Sequence, residues 1–149
     1  MKPVARLASA SDLDGILRLF EAAEVSRSAE PRSRAEQIWL ETLSRTGVNV
    51  FVSEAKQTIA ATCMLIVAPN LLRSGRQHAF IENVVTHPDH RGQGHGTSVL
   101  SAALQLAWRE NCHHVLLQSG RQNPRVHAFY RKVGFTPELR TAYVANRPT

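Results

Sequence analysis

Apolar residues return along this chain at two spacings, and the change from one to the other marks out a series of helices and strands. Leu13, Ile16, Leu17, Phe20 and Ala23 recur every three or four positions and line one side of a first amphipathic helix. Ser11, with Asp14 three residues on, is its expected N-cap. Ala35, Ile38, Trp39 and Leu43 share one face of a second helix, expected to end near Thr46 and Gly47. The period then falls to two, with Val48, Val50 and Val52 alternating against Asn49, Phe51 and Ser53. A turn at Ala55, Lys56 and Gln57 leads into the apolar run 58–67, so these two strands are expected to form a hairpin. Residues 69–77 read as an exposed loop holding Arg73 and Arg76, and 79–86 return to strand character until Pro88 stops them.

Further on, Val99, Leu100, Ala103, Leu104 and Ala107 predict a helix over 96–110, closed by Asn111. Residues 113–118 form another strand around Val115, Leu116 and Leu117. Asn123 before Pro124 is an N-cap with proline at the first helical position, and Gly134 suits a left-handed helix end. A short strand over 3–8 and a last one over 138–145 complete the series. That order predicts an α/β fold whose mixed sheet has helices on both faces, antiparallel hairpins and at least one parallel crossover.

Composition bounds the picture. A chain of 149 residues with 43% hydrophobic content fits one domain over 1–149. Nothing near Met1 has the pattern of a signal peptide and no stretch has the apolar length of a membrane span, so a cytoplasmic location without a membrane partner is expected. Cys63 and Cys112 are expected to be reduced and structural, although His113 and His114 beside Cys112 leave a reactive thiol open. The net charge of +6 lies in the second half: residues 1–70 carry eight Lys/Arg against eight Asp/Glu, residues 71–149 ten against four. Such a field suits a polyanion, whether nucleotide cofactor, acidic substrate or nucleic acid.

The stretch Arg91, Gly92, Gln93, Gly94, His95, Gly96 narrows this choice. Its alternating glycines lie between a strand and a long helix, where backbone N–H groups and the helix dipole bind anions and phosphate oxygens meet no Cβ. A P-loop needs a lysine after its last glycine, but Thr97 and Ser98 follow Gly96. A Rossmann turn needs its third glycine three residues after the second, and Gly96 is only two after Gly94; Gln118 also ends the next strand where an acid is required.

What remains is R-x-x-G-x-G, followed downstream by N-P-R-V-H-A-F-Y-R-K-V-G-F from Asn123 to Phe135. Together with I-E-N-V-V-T and H-P-D-H, these stretches resemble the GNAT superfamily of acyl-coenzyme A dependent N-acetyltransferases. The resemblance implies a GNAT fold of about six or seven strands, splayed between the fourth and fifth. It implies acetyl-coenzyme A as co-substrate and no metal. Val84, Val85 and Thr86 would pair with the pantetheine arm, Arg91 through Thr97 would hold the pyrophosphate, and Asn123 would reach the pantetheine amides besides capping its helix. Tyr130 would face the cofactor sulfur as general acid, a role a phenol of pKa about 10 can fill for a leaving thiolate. Where some members of the family keep a glutamate base, this chain has Gln118. Glu82 is then the candidate base, alone or through water, in a stretch similar to the glucosamine 6-phosphate acetyltransferase branch. Its neighbours Phe80, Ile81 and Val84 suggest burial, which would bring a carboxyl toward the working pH.

The same resemblance implies a ternary complex in which an amine attacks the thioester directly. The acceptor is expected to be a small molecule bearing phosphate or carboxylate, such as an amino sugar phosphate or amino acid, because Arg73 and Arg76 lie in the loop that shapes the pocket. A protein N-terminus or lysine is a further option, and a homodimer is compatible with the sequence. Two rivals belong to other classes. An acyl-coenzyme A sensor would keep the cradle without chemistry, as Gln118 suggests. A nucleic-acid module would use the basic half, but no aromatic and basic residues interleave on a strand. His87, His90 and His95 lack carboxylate or cysteine partners at metal-binding spacing, and His78 and His127 read as surface or capping residues.

Overall fold

The alternation around residue 50 becomes a long hairpin, β2 (Val48–Ala55) and β3 (Thr58–Ala68), turning at Lys56 and Gln57, which are both left-handed. These strands belong to a computed structural model that describes residues 1–120 and 123–149, in two compact units, Met1–Leu117 and Gln118–Thr149. In the first unit a five-stranded sheet has the order β1 (Ala5–Leu7), β2, β3, β4 (Gln77–Thr86), β5 (Cys112–Leu117). Neighbours are antiparallel except β4 and β5, which are parallel and joined through α3 (His95–Arg109). The sheet is therefore mixed, as expected, but has five strands rather than six or seven. The last strand expected over 138–145 is not formed. Residues 141–149 have no regular structure and Tyr143 is 89% exposed, because strand propensity needs a ladder to satisfy its N–H and C=O groups.

Helices pack on both faces of this sheet. Val50 and Val52 of β2, Ile59 of β3 and Val85 of β4 form one buried cluster with Leu13, Ile16 and Leu19 of α1 (Leu13–Ala22) and Trp39 of α2 (Arg32–Ser44). The alternate residues Phe51, Cys63, Leu65 and Ile81 are also buried, on the α3 side, where Val99, Leu100, Ala103 and Ala107 make the apolar stripe. The alternation in β2 thus separates two buried faces, not a core face from a wet one. Ser53, on the α3 side, is only 1% exposed.

Local signals fix the ends. Ser9, not Ser11, caps the first helical segment: its backbone N–H donates to Asp12 Oδ2 at 2.7 Å, and a turn over Ala10–Asp12 leads into α1. Arg6 grips both Asp12 oxygens at 2.8 and 2.9 Å, tying β1 to that turn. Trp39 Nε1 donates to the carbonyls of Ser9 and Ala10, each at 3.2 Å, which locks α2 to the same place. Asn111, in the left-handed region with φ of 56°, follows α3 as expected. In the second unit, α4 (Pro124–Val133) starts at Asn123, whose Oδ1 accepts from the Arg125 N–H at 2.9 Å, and stops at left-handed Gly134. Phe135 N–H closes that end on Tyr130 O at 3.0 Å. Among the described residues no helix is long and apolar enough to cross a membrane.

Candidate active site

β4 hands over to α3 through a tightly braced loop. His87 N–H donates to Ala60 O at 2.8 Å, and its Nδ1 accepts from the Asp89 N–H at 3.1 Å, opening a short turn over Pro88–His90. Arg91 is extended and exposed, and Gly92 and Gly94 follow with φ of 75° and 93°, left-handed values that glycine adopts without a Cβ penalty. A Cβ on Gly92 would meet nothing within 4 Å, so its backbone stands in open space. Gly94 is the N-cap of α3, and the first helical bond runs from Ser98 N–H to Gly94 O at 3.0 Å. The N–H groups of His95, Gly96 and Thr97 come before that ladder and lie at the positive end of the helix dipole. Left-handed glycines, early N–H donors and Arg91 form a donor set that fits a diphosphate.

Side chains in the loop divide between bracing and burial. Gln93 is turned back on the preceding turn, its Nε2 donating to Asp89 O at 3.2 Å and its Oε1 lying 3.3 Å from His90 Nδ1. His95 points inward, 6% exposed, with Nδ1 2.7 Å from Ser53 Oγ. Burial holds its imidazole pKa below the usual histidine value, and the nearby His90 adds to this. His87, His90 and His95 stand in a row, with ring centroids 5.3 and 5.8 Å apart. Among the described residues no group of His, Cys, Asp and Glu is gathered to hold a metal ion.

Upstream of the loop, β4 is irregular where the sequence suggests plain strand. Thr62 pairs with Val85 and Met64 with Glu82, so Cys63 alone stands opposite Asn83 and Val84. This is a bulge, and Asn83 enters the left-handed region with φ of 53°. Pairing to β5 ends at Ile81 opposite Leu117, and beyond it Glu82, Val85 and Thr86 have partners on β3. Glu82 is exposed, which corrects the expectation that Phe80, Ile81 and Val84 bury it: Phe80 is itself exposed and Val84 only half-buried. The bulge and the pair Ser53–His95 are the features that sequence reasoning missed. Ser53, between Val52 and Glu54, carries no sequence signal for the second, and for the bulge there is only the asparagine itself.

In the second unit Asn123 performs its capping role, and Tyr130 is half-buried on α4. Its ring lies 5.2 Å from that of Phe129 and meets Phe135 edge-on at 6.1 Å. The cysteines are free and buried, and burial pushes the Cys63 thiol up to about 12 and raises that of Cys112, which opposes thiolate chemistry.

A left-handed glycine turn at the mouth of a crossover helix, on a mixed sheet with a bulged fourth strand, defines the class: an α/β protein whose loop fits a phosphate-bearing ligand. Residues 13–135 match the model of the Acetyltransferase (GNAT) family, a span that reaches across both units. The chain belongs to that family and is an acetyltransferase acting on an amine with acetyl-coenzyme A. A putative acetyltransferase from Agrobacterium tumefaciens str. C58 is 36% identical and superposes with a TM-score of 0.88, over 96% of this chain and 99% of the other. A glucosamine 6-phosphate N-acetyltransferase of Trypanosoma brucei brucei is 27% identical over 139 residues, 87% of this chain and 86% of the relative. The glucosamine-6-phosphate N-acetyltransferase of Arabidopsis thaliana has a similar fold, with a TM-score of 0.84 at 20% identity over 99% of each chain.

Proposed function

We propose that this protein moves an acetyl group from acetyl-coenzyme A to the primary amine of a small phosphate- or carboxylate-bearing molecule, an amino sugar phosphate first among them, in the cytoplasm. The observation that carries the reading is the cradle capped by Gly94, with the bulge of β4 just upstream. Arg91 and the N–H groups of Gly92 through Thr97 hold the diphosphate, and Val84, Val85 and Thr86 offer backbone to the pantetheine arm. Bound acetyl-coenzyme A supplies the thioester carbonyl that the amine attacks. Asn123 contributes to the arm's amides while capping α4. Glu82, exposed on β4, takes the amine proton directly or through water, and Tyr130 gives its phenolic proton to the leaving sulfur. No covalent enzyme intermediate is needed when both substrates are held together.

The choice of acceptor rests on the trypanosomal relative, named for glucosamine 6-phosphate and matched over most of both chains, and on the exposed Arg73 and Arg76. The left-handed pair Arg73 and Ser74, with φ of 55° and 57°, gives that loop a fixed turn. Following free thiol release across amino sugars, their phosphates, amino acids, polyamines and peptides tests the reading. Amino sugar phosphates should be the best acceptors. Tyr130→Phe should lower kcat by about a hundredfold while coenzyme A still binds, and Glu82→Gln should lower it at neutral pH. Full activity in Tyr130→Phe would remove the acid from that residue.

A further inference from the structure

His95 is the one residue with a side chain between Gly94 and Gly96, at the start of α3. Glycines give the cradle its left-handed turns and have nothing with which to grip the rest of the fold. On its solvent side the loop is held by Gln93 against Asp89 and His90, and a Cβ on Gly94 would only touch Pro3, at 3.5 Å. On its inner side lies the imidazole of His95, buried and bonded to the buried Ser53 of β2. An apolar side chain could fill that space but could slide or turn within it, whereas a hydrogen bond of 2.7 Å between two buried groups has one satisfying geometry.

We propose that His95 is a positioning residue for the cofactor cradle: its hydrogen bond to Ser53 pins the first turn of α3 to β2 and so fixes the direction in which the N–H groups of His95, Gly96 and Thr97 point. The proposal rests on the reading of this loop as a coenzyme A site. Removing the Ser53 hydroxyl leaves a buried imidazole nitrogen without its partner, and the turn must shift to satisfy it. The site itself keeps all its backbone donors; only their aim changes.

Calorimetric titration with coenzyme A, which needs no acceptor and no turnover, tests this alongside thermal unfolding of the same proteins. Ser53→Ala should weaken coenzyme A binding about fivefold or more when compared well below its unfolding temperature. Ser53→Cys, which keeps the shape but bonds weakly, should weaken it in the same direction and serves if the alanine variant does not fold. His95→Asn, whose amide sets a polar atom where Nδ1 lies, should bind within about twofold of wild type. Wild-type affinity in Ser53→Ala or Ser53→Cys, or a loss in His95→Asn as large as theirs, overturns the positioning role. A wild-type protein that binds no coenzyme A overturns both this proposal and the reading beneath it.

Discussion

Single residues carry stability here in ways their neighbours define. Gly47 has φ of 83°, and a Cβ there would lie 2.3 Å from the Val67 carbonyl oxygen, which is backbone and cannot swing away. Gly75 has nearly the same φ, 80°, but nothing within 4 Å. Gly75→Ala should therefore cost about 1–2 kcal/mol of folding free energy, the left-handed penalty alone, and Gly47→Ala clearly more, as read by urea unfolding. Arg6 and a backbone N–H hold the Asp12 carboxyl below its usual pKa, so the folded chain binds this proton less readily than the unfolded one. Its contribution is present above the unfolded value of 3.8 and lost as pH falls through the folded one. Asp12→Asn should flatten that acid limb. His95 works on a higher range: its lowered pKa means that the unfolded chain takes up the proton first, so stability is level above about 6.5 and declines below it. His95→Asn should remove that slope from a plot of unfolding free energy against pH.

At the scale of elements, what the sequence made legible was what chain neighbours determine. Asn123, Pro124 and Gly134 set the ends of α4 within a few residues, and the period of three to four residues in α1 and α3 needs only the helix itself. The glycine turn at the start of α3 was legible for the same reason, since its glycines and the helix start are adjacent in sequence. Contacts across many residues were not. Nothing near Ser53 says that His95 will reach it, and in I-E-N-V-V nothing but the asparagine hints that β4 will bulge. Residues 138–145 had strand-like composition, yet a strand exists only where a partner takes its hydrogen bonds. The cradle yields its own prediction. Gly92→Ala forces a Cβ into a left-handed position that faces open space, so it should weaken coenzyme A binding about tenfold by calorimetry while costing the fold only the left-handed penalty of about 1–2 kcal/mol, as at Gly75.

Across the whole molecule, the charge of the second half suits an anionic donor and an anionic acceptor, because all of the net +6 lies beyond residue 70. Affinity for coenzyme A should accordingly fall as salt rises from 50 to 500 mM, as screening of exposed Arg91 predicts. The family identifies the donor. The central claim is direct transfer to an amine. It is tested by measuring, in one reaction with acetyl-coenzyme A and glucosamine 6-phosphate, both the free thiol and the N-acetylated product. Thiol and N-acetylated sugar phosphate should form in equal amounts and only when the amine is present; thiol release without the amine, or coenzyme A binding with no acetylated product from this or any other amine, would contradict the account.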